Sequence, residues 1–163
     1  MKHLKLKIAL LATLLLFVGK TCYAQGTTEV GKVVADMAAK YENTEGVDCM
    51  VVTKGNGLGL VKMALKAQLG KSFLKGVTAM TIIDYSKASE EVCESVKTDA
   101  NIFLSMLEEI DLTKSEKKID DSSYLRCFAT VNENRTISDF LMLMENKEMK
   151  WMIYMEGEIK VEE

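Results

Sequence analysis

The chain of 163 residues contains no proline. A polyproline recognition segment or a stiff Pro-rich linker therefore has nothing to be built from. Its one histidine is His3, within the first few residues. Past that point a Ser-His-Asp or Cys-His relay, histidine zinc ligation and a histidine pH switch are all closed. Carboxylate pairs, lysine nucleophiles and lone thiols stay open. Arginine occurs only as Arg126 and Arg135, and the formal net charge is −3. Affinity for nucleic acid rests on lysine and arginine displacing counterions, so an acidic chain with two arginines makes a poor phosphate binder and no nucleic-acid partner is expected. Cysteine is sparse too. Beyond Cys22 there are Cys49, Cys93 and Cys127, none in a C-x-x-C spacing, so neither a zinc ribbon nor a thioredoxin motif is present. Three thiols permit at most one intramolecular disulfide. The simpler expectation is buried thiols acting as small apolar side chains.

What is present begins with an address. Lys2, Lys5 and Lys7 form a basic opening, and Ile8 to Val18 is an uninterrupted apolar run of 11 residues. A helix crossing a bilayer needs roughly 20, whereas an export signal needs only such a short core. Cys22-Tyr23-Ala24 fits the small-x-small step read by a signal peptidase, which predicts cleavage between Ala24 and Gln25. Residues 1–24 are then a signal peptide and residues 25–163 a single domain, exported to the periplasm or cell envelope. Lipid attachment at Cys22 is the alternative, although Lys20 fits that motif poorly. The first 24 residues hold four lysines and no acid, leaving 17 basic against 24 acidic residues in the remainder.

Periodicity then predicts the elements. Val30, Val33, Val34, Met37, Ala38 and Tyr41 recur at helical spacing after Thr27-Thr28-Glu29, which supplies a cap and a first-turn acid. Val47 to Thr53 reads as a strand and Gly55-Asn56-Gly57 as its end. Leu58, Val61, Leu65 and Leu69 mark a second helix, with Gly70 placed to stop it. Val77 to Ile83 is a second strand. Val92, Val96, Ala100, Phe103, Leu104 and Leu107 mark a helix over about 89–109. Residues 114–122 are a polar loop. Tyr124–Val131, Thr136–Met144 and Met149–Glu156 are strand-like runs separated by loops of hairpin length. The order α-β-α-β-α-β-β-β predicts an α+β fold with a mostly antiparallel sheet and helices packed on one face.

Few motifs promise chemistry. Gly55-Asn56-Gly57-Leu58-Gly59-Leu60 could cradle an anion at a helix N-terminus. It lacks the last glycine of G-x-G-x-x-G and any G-K-[ST], so a turn needing positive φ explains it more simply. Glu90-Glu91, Glu108-Glu109 and Asp120-Asp121 are adjacent acids, which on a helix diverge by about 100° per residue and do not converge on a substrate. Met142, Met144, Met149, Met152 and Met155 could hold a soft metal, but core filling fits better without a histidine nearby. The sequence thus names no catalytic residue, no cofactor and no metal.

Lys40-Tyr41, Gly46-Val47, Leu141 to Met144, Ile153 and Glu156-Gly157 form a pattern that resembles a family of small exported Bacteroidetes proteins of unknown function. The resemblance spans most of residues 25–163. It implies an α+β domain and an exported location, with no assigned activity and no catalytic residue to carry over. In such proteins the leader is sometimes of lipoprotein type, which keeps Cys22 in view. Residues and resemblance together lead to an exported, non-enzymatic domain that associates with a protein or structural partner at the envelope. A small-molecule or peptide binder with a cleft between helices and sheet is the alternative.

Overall fold

A computed structural model describes residues 28–69, 74–110 and 124–160. The expected cleavage residues Ala24 and Gln25, along with Cys22 and the Asp120-Asp121 pair, lie outside the described residues. The elements in chain order are α1 (Glu29–Tyr41), β1 (Asp48–Thr53), α2 (Leu58–Leu69), β2 (Val77–Asp84), α3 (Glu90–Leu104), β3 (Glu108–Ile110), β4 (Tyr124–Val131), β5 (Thr136–Glu145) and β6 (Lys150–Lys160). All strands join one antiparallel six-stranded sheet, ordered β1-β2-β6-β5-β4-β3. This is the α+β class and the element order that periodicity predicts, with one short strand, β3, added after the third helix.

The helices do not share one face as expected. On one side, Val30, Val34, Met37 and Tyr41 of α1 and Cys93, Val96, Ala100 and Phe103 of α3 pack with Ile83, Leu141, Met152 and Tyr154 of the sheet. On the other, Leu58, Val61 and Leu65 of α2 pack with Met50, Val52, Met80, Ile82, Ile153 and Met155. The cause lies in the central strands. Residues 151–156 of β6 are buried without a break, so the sheet is apolar on both faces and needs cover on both. The alternation in this strand separates Trp151, Ile153 and Met155 from Met152 and Tyr154, and both sets are interior.

Two boundaries also differ from expectation by more than a residue. The third helix stops at Leu104, with Ser105 as its C-cap, and residues 108–110 instead form β3. That short edge strand pairs with β4, and Arg126 closes a two-point salt bridge on Glu109, its Nε and Nη2 each donating at 2.6 Å. Strand β6 continues past Gly157 to Lys160. It does so through an irregularity in both neighbouring ladders, where Asp139 faces Glu156 but Ile137 faces Ile159. Gly157 takes φ of 151°, and a Cβ there would fall 2.1 Å from the carbonyl oxygen of Gly76, so the two glycines let the strand backbones touch. The hairpin loops are closed by asparagines. Asn146 Oδ1 accepts from the backbone of Glu148 and Met149, both at 2.8 Å, and Asn134 Oδ1 accepts from Thr136.

Candidate functional site

The largest buried polar group lies between α1 and the sheet. Asp139 on β5 and Glu156 on β6 are cross-strand partners, 3% and 4% exposed. Two carboxylates side by side in an apolar layer are costly unless donors surround them. Asp139 has three. Thr28 and Tyr154 donate to its Oδ1, the latter at 2.6 Å, and Ser138 donates to Oδ2 at 2.9 Å. Thr28 is also the N-cap of α1, its hydroxyl accepting from Gly31 N at 2.9 Å, so the positive end of that helix is directed at Asp139. The Tyr154 phenol is pushed well above its usual range, first by burial and then by Asp139, while its contact with Thr28 opposes the shift. The cluster is thus a lock that fixes the start of α1 on the sheet. The far end of α1 is fixed by Tyr41, whose hydroxyl lies 2.8 Å from both Ser95 Oγ and Asp99 Oδ2 on α3. Among the described residues, no buried side-chain nitrogen or oxygen lacks a partner. These polar atoms serve one another.

Among the described residues the three thiols, Cys49, Cys93 and Cys127, are free. Cys49 on β1 is half-buried, and its pKa is pushed up to about 12, mainly by burial and then by Glu42 and Asp48. Cys127 on β4 is buried, and burial with Glu109 nearby raises it to about 11. Cys93 is 2% exposed and accepts from Lys150 Nζ at 3.1 Å. A raised pKa starves a thiol of its nucleophilic thiolate form, so Cys49 and Cys127 are poor nucleophiles.

The remaining sequence candidates resolve into structure. Gly57 adopts φ of 77° in the turn that opens α2. Met142, Met152 and Met155 are core, and Met144 and Met149 pack at its margin. Glu90 and Glu91 occupy the first turn of α3, and Glu108 and Glu109 lie on β3, where their side chains alternate.

The feature that periodicity alone passed over is the outer face of α2. Leu60 is 53% exposed and Met63 72% exposed, three residues apart and therefore neighbours on the helix surface. The adjoining Gly59 also has open space where a side chain would be. Lys66 is exposed beside them, and Lys62 reaches back to donate to the carbonyl of Val77. The weak segregation of apolar and polar positions in this helix was the available signal. Its inward stripe is legible in the sequence, whereas the extra leucine and methionine outside that stripe look like ordinary surface residues. No family model, curated protein or solved structure matches this chain. Among the described residues, fold and surface together define a single α+β domain with a satisfied polar interior and an apolar outer face on α2.

Proposed function

We propose that this chain is an exported, non-enzymatic domain that acts by association at the cell envelope, through contact with a protein or structural partner. The observation that carries this reading is the exposed pair Leu60 and Met63 on α2, in a domain whose buried polar side chains are otherwise used internally. Exposed apolar side chains grouped on one element mark surfaces that are covered in use. The basic and apolar opening of the sequence supports export, as does the resemblance to small exported Bacteroidetes proteins. Among the described residues no helix is long and apolar enough to cross a membrane.

The test is a photo-crosslinking residue at position 63 in the cell that makes the protein, followed by fractionation. The expected result is protein in the envelope fraction with an adduct formed from position 63 but not from exposed Lys87. Protein that stays in the cytoplasm, or that forms no adduct at position 63, overturns the proposal. Intact mass reports the processing separately, with Gln25 expected as the first residue.

A further inference from the structure

Charge is distributed unevenly along this chain. The 35 residues 49–83, which contain α2 and all of β1 and β2 except their end residues Asp48 and Asp84, include Lys54, Lys62, Lys66, Lys71 and Lys75 and not one aspartate or glutamate. Residues 84–163 carry 19 acids against 10 bases. The acids that bound the basic window, Asp48 and Asp84, face each other across the β1–β2 ladder, at the opposite end of that strand pair from Thr53 and Ala79. Lys54 follows directly on Thr53 and is exposed, as are Lys66 and Lys75. The exposed leucine and methionine of α2 therefore belong to the basic part of an otherwise acidic protein. The other exposed apolar pair, Ile102 and Met106, lies around the end of α3, with Asp99 before it and Glu108 and Glu109 after it.

We infer that the outer face of α2 docks on an anionic lipid surface, with Leu60 and Met63 entering the headgroup boundary and Lys54 and Lys66 meeting the lipid charges. The inference rests on the envelope association proposed above and names its partner. A helix lying in the plane of a membrane needs an apolar outward stripe flanked by lysines whose long stems reach to the headgroups. Each lysine brought to an anionic surface strengthens binding by roughly five-fold. An acidic protein is the competing partner, and the composition of the face argues against it. Protein interface centres favour tryptophan, tyrosine and arginine and are depleted in lysine. This face has a leucine, a methionine and lysines on a convex helix.

Vesicle flotation with the protein in the form its cell produces tests the inference. Phosphatidylcholine vesicles, with and without phosphatidylglycerol, are compared for wild type, Leu60→Ser/Met63→Ser and Lys54→Gln/Lys66→Gln, with circular dichroism to show that each variant is folded. All four positions are exposed and lie outside both cores, so folding should survive. The expected result is binding that requires phosphatidylglycerol and falls at least about ten-fold in each double variant. It should also fade in about 1 M salt, where screening shortens the Debye length to about 3 Å. Equal binding to both vesicle types, or variants that bind like wild type, overturns the inference. So does retention on immobilised polyglutamate in place of vesicles, which would identify an acidic protein partner. If vesicle binding fails while the position 63 adduct forms in the envelope, the lipid assignment falls and the association reading stands. If both fail, both fall.

Discussion

Replacing Tyr154 by phenylalanine removes one oxygen from the lock between α1 and the sheet. The ring stays and its apolar packing is kept, so the loss is that of the hydrogen bond to Asp139 Oδ1 at 2.6 Å and of the 3.0 Å contact with Thr28 Oγ1. A hydrogen bond to a charged group contributes about 1.5–3 kcal/mol net. Thr28 and Ser138 still serve the carboxylate, which places the expected cost near the middle of that range. With a urea dependence of about 1–3 kcal/mol per molar, the midpoint should fall by about 1 M. The alkaline limb carries a second signature. Folding pushes the phenol above its usual range, so the native protein keeps this proton after the unfolded chain loses it near pH 10. A raised native pKa gives stability that is complete below the unfolded pKa and lost as pH rises above it. Wild type should therefore lose about 1.4 kcal/mol per pH unit from this group above roughly pH 10. Tyr154→Phe has no such proton, so the gap between the two proteins should narrow from pH 10 upward. Equal midpoints at neutral pH together with parallel alkaline limbs would refute the lock.

Three further outcomes follow from the packing. Trp151 is 2% exposed, so Trp151→Ala should cost about 3–5 kcal/mol, and native emission should be blue-shifted and move red on unfolding; red native emission would contradict burial. Gly157→Ala meets the carbonyl of Gly76 at 2.1 Å and a φ that side chains rarely adopt, and should cost at least about 1–3 kcal/mol in thermal unfolding, where an unchanged midpoint would disprove the close approach. A maleimide should label Cys49 ahead of Cys93 and Cys127 in the native state, slowly because the Cys49 thiol is held near 12, and all three together after denaturation. Fast native labelling of Cys93 would reverse its assignment to the core.

Local signals reached most of the secondary structure because each element carries its own punctuation. Thr28 and Ser89 cap α1 and α3 as their residue types suggest, and the hairpin loops end where asparagine can bond the backbone. The strand-like run Tyr124–Val131 coincides with β4. The misplacements are tertiary. Leu107 continues the helical period of α3, but residues 108–110 gain a ladder with β4 and an Arg126 pair that a further helical turn would forfeit. Gly157 reads as a stop, and it extends β6 only because Gly76 lies opposite and admits the backbone. Neither partner is visible from the local pattern. The distribution of helices over two faces follows from the same limit, since alternation assigns residues to sides of a strand without saying what covers each side.

The candidate site was missed for a different reason. Periodicity is a search for the buried side, and α2 satisfies it with Leu58, Val61 and Leu65. Once that stripe is filled, Leu60 and Met63 count as surplus apolar residues, and single exposed apolar residues are ordinary. They become informative only when two further facts are joined to them. The first is geometric: both project outward from the same helix face, at 53% and 72% exposure. The second is electrostatic, and it was legible in the sequence all along as 35 residues without an acid in a net acidic chain. Fold stability does not require that segregation, because exposed lysines and carboxylates interact weakly through water. It concentrates positive charge around a helix with an apolar outer face, and that coincidence of charge with apolar exposure is what the proposed docking of the β1–α2–β2 unit on an outside surface rests on.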